Sequence, residues 1–402
     1  MHNIDLLSDL KVKVDTKILL FVMDGLGGLP GPGGLTELEA AKTPNLDALA
    51  KKGVSGLIDP VARGITPGSG PGHLGLFGYN PLEHMIGRGA LEAAGIGFDL
   101  QRKDVATRFN FCTLDKNGNI TDRRAGRIST DINKKMVEKM RNISLPGIEV
   151  FVETVKEHRG IAIFRKEGLK GNLHDTDPQR LGVPPLKAVT SDGGKSQEMA
   201  DHANLWLAKV YEVLKNESPA NGILTRGWCN YPEIPTYQEV YGLNPACIAL
   251  YPMYRGVAQF AGMKVYTEGI KDFATKVDVL KNVWGDHDFF FFHYKHTDSA
   301  GEDGDFNRKV ACIEEVDQAL PCILENKPDV IAITGDHSTP SVIKAHSWHP
   351  VPILMAGTYI RPDAVSSFGE RAAISGGLGR FNACYIINEL LAAGGRITKY
   401  GA

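Results

Sequence analysis

The sequence predicts an α/β protein in which a mostly parallel sheet, flanked by helices, is interrupted by a smaller α+β domain. Two observations carry this expectation. Towards both ends of the 402-residue chain, short apolar runs alternate with amphipathic stretches, the pattern of buried strands and covering helices. In the middle, the runs come in pairs around turn residues, which is the signature of antiparallel hairpins. The expected division is a core of residues 1–103 and 217–402 with an inserted cap of 104–216. With 43% hydrophobic and 23% charged residues, the composition is globular and the length accommodates two domains.

In chain order, the first sixteen residues read as an N-terminal extension, and "KILLFVM" (17–23) reads as the first buried strand. A Gly/Pro loop containing "LPGPGG" follows. In "TPNLDALAKKG", Thr43 is placed to cap a helix, Pro44 to open it and Gly53 to close it. "GITPGSGPGHLGLFGY" (64–79) holds so many breakers that a loop is expected. The middle segment offers a hairpin around Asn117 and Gly118, a helix near 130–141, a second hairpin in "IEVFVETVKEHRGIAIFR" and the helix "KSQEMADHANLWLAKVYEVLKN". Three further strands are expected from "DFFFFHYK" (288–295), "DVIAITG" (329–335) and "PVPILMAG" (350–357).

Several classes of function are excluded by bulk properties. A net charge of −2 gives no general attraction to nucleic acid or to an anionic membrane. No apolar run reaches membrane-spanning length, and "MHNIDLLSDLKVKVD" lacks the regions of a signal peptide. A cytoplasmic protein is expected, with neither nucleic acid nor membrane as partner and a homo-oligomer allowed. The six cysteines form no CxxC pair and read as small core residues.

In an open α/β sheet, ligands bind beyond the carboxyl ends of the strands. The residues just after each expected strand are therefore the informative ones: Asp24, then Lys295, His296, Asp298 and Glu302, then Asp336 and His337. His346 and His349 lead into the last strand. Carboxylates and imidazoles from four segments suit two divalent cations of the Mn²⁺, Co²⁺, Zn²⁺ or Mg²⁺ type, and the lack of thiolates argues against structural zinc. Ser69 in the glycine-rich segment is the expected nucleophile and covalent phosphate carrier, the glycines leaving a substrate close access to it. His73 is expected beside it as a substrate-binding residue.

The motifs "LTELEAAKTPNLDALAKKG", "TPGSGPGHLGLFGY", "GRGALEAAGIG", "ITDRRAGRI", "HRG", "LTRG", "MYRGVAQFAGM", "DSAGEDGD" and "GDHSTP" occur in one order. Through them the chain, from about Lys17 onwards, resembles the archaeal-type cofactor-independent phosphoglycerate mutases of the alkaline phosphatase superfamily. The resemblance implies an alkaline-phosphatase-like core and interconversion of 3-phosphoglycerate and 2-phosphoglycerate, without 2,3-bisphosphoglycerate, in glycolysis and gluconeogenesis. It implies phosphorylation of Ser69, one metal on Asp24, Ser69, Asp336 and His337, a second on Asp298, residue 302 and His346, and Lys295 beside the phosphoryl group. The family usually has His where this chain has Glu302, and a small polar or acidic residue where it has His349. The two residues are expected to have exchanged ligand chemistry, with a changed metal preference.

A mutase must grip a carboxylate and a phosphate, and the arginine fork suits both. Arg123, Arg124 and Arg127 of "TDRRAGR", with Arg159, Arg226 and Arg255, are the expected substrate-binding residues. Asp122 is expected to steady them or to move a proton to and from the glycerate hydroxyl. A phosphomonoesterase or another phosphotransferase on the same core is the nearest alternative, and a metal-binding regulatory protein with a dead site is the alternative from another class.

Overall fold

The structure, a computed structural model, describes residues 4–401. It divides into two compact units, Met1–Met85 with Ile234–Ala402, and Ile86–Glu233. The strands in chain order are β1 (Ile18–Met23), β2 (Val54–Asp59), β3 (Asp104–Leu114), β4 (Ile120–Asp122), β5 (Glu149–Lys156), β6 (Arg159–Arg165), β7 (Gly222–Asn230), β8 (Pro245–Ile248), β9 (Lys264–Val265), β10 (Phe289–Tyr294), β11 (Val330–Thr334), β12 (Val351–Gly357) and β13 (Gly379–Asn382). No helix among the described residues is long and apolar enough to cross a membrane.

The first unit carries a sheet in the order β13-β2-β12-β11-β1-β10-β8-β9. β1 lies between β10 and β11 and is parallel to both. These central strands, ILLFVM, FFFFHY and VIAIT, are buried along their whole length, as unbroken apolar runs covered on both faces must be. β12 runs antiparallel to β11 and to β2. The segment leading into β12 therefore reaches the same sheet edge as the residues that follow β1, β10 and β11.

The second unit is an antiparallel sheet in the order β4-β3-β6-β5, with β7 also paired to β3 along Val105–Cys112, short of the Thr113–Leu114 end where β4 pairs. The helices Thr130–Arg141 and Gln197–Leu214 cover it, with Trp206 and Phe164 in the core. Its limits lie outside the expected 104 and 216, for two reasons. The helix Arg88–Gly95 sits so close to β3 that a Cβ on Gly89 would lie 2.5 Å from the Ala106 carbonyl. β7, which the sequence reading passed over, completes the sheet.

Other local expectations need correction. A helix, Ile4–Leu10, occupies part of the expected N-terminal loop, and "LPGPGG" contains a short 3₁₀ turn, Pro32–Gly34. Thr43 precedes the helix Pro44–Ala50, but its hydroxyl caps nothing. Instead the Asp317 carboxylate accepts from the Asn45 and Leu46 amides at 3.0 and 2.8 Å. Cys322 is exposed and no core residue.

The largest correction concerns the glycine-rich segment, where Ser69–Leu76 is an α-helix. Pro71 is tolerated because it falls in the first turn, where an amide has no helical partner. The glycines are needed for packing rather than for flexibility. A Cβ on Gly72 would lie 2.3 Å from the Asp336 carbonyl, and one on Gly75 would lie 2.3 Å from the Pro60 carbonyl. These glycines face protein backbone, so the expectation that they admit a substrate fails at these two positions.

Gly72→Ala should therefore lower the thermal midpoint, at a cost of about 1–3 kcal/mol for overpacking against a rigid carbonyl. Gly68→Ala, where the nearest atom would be Pro71 Cδ at 3.8 Å, should leave the midpoint nearly unchanged. Equal midpoints for the two variants would contradict the close approach of this helix to Asp336.

Candidate active site

The first cluster of functional side chains is built at the edge where β1, β10 and β11 end. Asp24 follows β1, Lys295 and Asp298 follow β10, and Asp336 and His337 follow β11. His346 comes from the segment entering β12. Asp24, Asp298, Asp336 and His337 are wholly buried. Ser69 opens its helix with Oγ 3.3 Å from His337 Nε2.

Two groups within this cluster have ligand atoms close enough to share a cation: Asp24 with Asp336 and His337, and Asp298 with His337 and His346. His337 Nε2 lies 3.4 Å from Asp24 Oδ1 and 3.1 Å from Asp336 Oδ2. Neither oxygen has a hydrogen-bond donor, although both are buried. Buried carboxylate oxygens without donors are costly unless a cation meets them, so these residues fit a metal. The remaining contacts orient the ligands in the way outer-shell hydrogen bonds do. Thr339 Oγ1 donates to Asp298 Oδ1 at 2.6 Å and lies 3.0 Å from His337 Nδ1. His346 Nδ1 lies 3.0 Å from the Pro67 carbonyl, which leaves Nε2 directed at Asp298 Oδ1, 3.6 Å away.

Electrostatics follow from this crowding. Burial and the adjacent Asp336 push the Asp24 carboxyl up, but Lys295 and His293 prevail and hold it below the usual carboxylate range. Burial opposes ionisation of Asp336 as well, and His337 with His73 holds it well below that range. His337, which burial would lower, is raised to about 9 by Asp336, Asp24 and Asp298. Lys295 Nζ donates to Asp298 Oδ2 and lies 3.3 Å from Asp24 Oδ2. Burial disfavours its charge, and the two carboxylates more than restore it.

Not every expected residue joins the cluster. Glu302 is 56% exposed, with Oε1 3.8 Å from His346 Nε2, and is in neither group. His349 is also in neither; its Nδ1 meets Ser347 Oγ at 3.0 Å and its ring stacks on Trp348. His73 is fully buried, with Nδ1 2.8 Å from the Ser69 carbonyl and 3.2 Å from Asp336 Oδ2. That inward packing makes it a brace for the serine helix and not a surface for substrate. The sequence reading missed His293, whose Nε2 lies 3.1 Å from Asp24 Oδ2. It also missed Tyr254, whose ring packs on both His73 and His293. Both sit inside apolar runs, where the only signal was a polar atom among phenylalanines or in "MYRG".

The second unit contains its own polar cavity of about 240 Å³, lined by Arg88, Arg108, Asn110, Arg123, Arg124, His158, Arg159 and Arg226. Register builds it. Arg108 on β3 is opposite Arg226 on β7, and Asn110 on β3 is opposite Arg159 on β6. Like charges in cross-strand positions repel, and carboxylates at the edge offset this only in part. Asp177 grips Arg123 through two hydrogen bonds of 2.9 and 2.7 Å, Glu92 meets Arg108 at 3.0 Å, and Asp175 meets Arg226 at 3.4 Å.

Asp122 has a different part from the one expected. Its carboxylate accepts from the Arg124 and Gly126 amides at 2.7 Å each, so it shapes the turn, while Asp177 steadies the guanidinium. Arg127, in the left-handed region at φ 54°, is exposed and outside the cavity lining. Arg255 belongs to the first unit, on the helix Pro252–Phe260. Arg88, Arg108, Asn110, His158 and Asp177 were missed. Arg88 stands in the "GRGALEAAGIG" motif, which could have flagged it.

Solved structures with the same arrangement of elements define the class. A Pyrococcus horikoshii protein aligns with a TM-score of 0.83 and 33% identity, over 97% of this chain and all of the other. A cofactor-independent phosphoglycerate mutase from Thermoplasma acidophilum aligns with a TM-score of 0.74 and 29% identity, over 94% and 100%. The sequence profile of 2,3-bisphosphoglycerate-independent phosphoglycerate mutase matches residues 50–221. A probable enzyme of that name from Thermus thermophilus is 50% identical over the full length of both chains, and one from Aquifex aeolicus is 47% identical over 99% of this chain and all of the other. The chain belongs to the 2,3-bisphosphoglycerate-independent phosphoglycerate mutase family and is an enzyme.

Within the arginine cavity, burial and the neighbouring Arg159 push the His158 imidazole from its ordinary 6.5 down to about 4. The folded state thus favours the neutral ring, and this contribution to stability is complete above pH 6.5 and lost as the pH falls towards 4. Thermal midpoints of the wild type should fall more steeply over this interval than those of His158→Gln. Parallel slopes would contradict a neutral imidazole among guanidinium groups.

Proposed function

We propose that this enzyme interconverts 3-phosphoglycerate and 2-phosphoglycerate through a phosphoserine at Ser69, with no 2,3-bisphosphoglycerate. The observation that carries the reading is the position of Ser69. It opens a helix, where backbone N–H groups favour an anionic group, and its Oγ lies 3.3 Å from His337 Nε2, at the edge of the buried carboxylate cluster. Asp24, Asp336 and His337, with Asp298 and His346, would hold two divalent cations, which lower the pKa of a nearby hydroxyl and neutralise charge on a transferring phosphoryl group.

Ser69 Oγ, reacting as its alkoxide, attacks the phosphorus of 3-phosphoglycerate. The bond from phosphorus to Ser69 forms as the bond to the 3-oxygen breaks, and that oxygen takes up a proton. The 2-hydroxyl of glycerate then loses a proton and attacks phosphoserine, releasing Ser69. Lys295, charged between Asp24 and Asp298, offers a cation to the phosphoryl oxygens. The arginines of the second unit suit the carboxylate and phosphate of this substrate, and Arg123, held by Asp177, presents a fixed fork. Water must be excluded while phosphoserine persists, or the outcome is hydrolysis. As part of the same reading, the reaction belongs to cytoplasmic glycolysis and gluconeogenesis.

The test is a coupled assay on metal-stripped protein with Mn²⁺, Co²⁺, Zn²⁺ or Mg²⁺ restored in turn, following both 2-phosphoglycerate and free phosphate. Isomerisation should require metal, ignore added 2,3-bisphosphoglycerate and vanish in Ser69→Ala. Free phosphate as the sole product would replace the mutase reading with a phosphomonoesterase.

A further inference from the structure

Directly behind the ligand cluster lies a side chain that none of the chemistry above uses. Lys309, on the helix Phe306–Leu324, is completely buried. Its ammonium has three hydrogens and meets three acceptors, the carbonyls of Gly25 at 2.8 Å, Gly27 at 3.0 Å and Thr339 at 2.8 Å. Burying a charged ammonium costs several kcal/mol before compensation, so a lysine that spends all its donors on backbone in two loops calls for a reason.

The two loops are those that carry the metal ligands. The Gly25 amide, next to Asp24, donates to Asp336 Oδ1 at 3.1 Å. Thr339 Oγ1 donates to Asp298 Oδ1 and lies beside His337 Nδ1. One lysine therefore reaches all four buried ligands in one further step. The layer behind it braces the same segments. Glu37 Oε1 accepts from the Ser341 amide at 2.7 Å, and Glu370 accepts from the Gly28 amide at 2.8 Å and from the Thr36 hydroxyl at 2.6 Å. Glu37 and Glu370 also supply the nearest compensating charge, although burial still leaves the Lys309 ammonium below its ordinary pKa.

We propose that Lys309 is a positioning residue of the metal centre: its ammonium tripod clamps the Asp24–Gly27 turn to the His337–Thr339 loop and so sets the spacing of Asp24, Asp298, Asp336 and His337. The inference rests on the metal centre described above. Arginine cannot take over this part, because a planar guanidinium does not direct three hydrogens into a cup of three carbonyls. Lys309 approaches no substrate-facing group, so its effect must appear as metal affinity.

The experiment titrates metal-stripped wild type, Lys309→Met, Lys309→Arg and Asp336→Asn with Mn²⁺, reading the free ion by electron paramagnetic resonance. Circular dichroism and the thermal midpoint of each metal-free protein are recorded alongside. Both Lys309 variants should bind Mn²⁺ about 10–100-fold more weakly than wild type, with kcat lowered and KM unchanged. If Lys309→Met does not fold, Lys309→Arg, which keeps the charge, decides. A folded Lys309 variant that binds Mn²⁺ as tightly as wild type overturns the inference, and a lowered midpoint without weaker binding makes the lysine merely structural. Asp336→Asn separates the two possible failures. If it loses Mn²⁺ while Lys309→Arg keeps it, only the role of Lys309 falls; if it binds as wild type does, the metal centre is wrong and the inference falls with it.

Discussion

Three carboxylates buried within reach of one imidazole set the terms for the rest of the first unit. Asp24, Asp298 and Asp336 are wholly buried, and two like charges 4 Å apart repel by about 4 kcal/mol in an effective dielectric of about 20. Such a cluster persists only if cations meet it and the surrounding fold holds it against relaxation. Lys295 supplies part of that compensation. Two carboxylate oxygens still lack a donor, and divalent cations fit that deficit.

The frame that resists relaxation is backbone. Parallel strands β1, β10 and β11 end at one edge, and the antiparallel β12 brings its incoming segment to the same place. The serine helix is pressed against the Asp336 carbonyl through Gly72, which fixes Ser69 beside the carboxylate cluster. The second unit solves the opposite problem. Its cross-strand arginines concentrate positive charge, partly neutralised by Glu92, Asp175 and Asp177, and the remainder is available to an anion. The first unit thus carries a negative cluster that calls for cations, and the second carries a positive cavity suited to an anion.

Much of this was legible in the sequence, for a physical reason. Strands buried on both faces must be unbroken apolar runs, so β1, β10, β11 and β12 stood out, and with them Asp24, Asp298, Asp336, His337 and His346 just beyond their ends. The helix Thr130–Arg141 and the paired strands of the second unit were equally visible through their periodicity. What escaped was determined by contact at a distance. Gly72 and Gly75 look like breakers until the Asp336 and Pro60 carbonyls are seen against them. Asp177 and Lys309 lie far along the chain from the groups they hold, and His293 is hidden in a run of phenylalanines. Asp122 was given to guanidinium groups, whereas a carboxylate so close in sequence to two turn amides bonds to those first.

Two cations bound by the buried carboxylates beside Ser69 would be visible directly in a crystal. Anomalous diffraction from crystals soaked in Mn²⁺ tests for them most directly. Two peaks are expected, one bounded by Asp24, Asp336 and His337 and the other by Asp298 and His346, with Ser69 Oγ adjacent. Diffraction showing Mn²⁺ bound elsewhere, or no peak against Asp336 and His337, would contradict a two-cation centre.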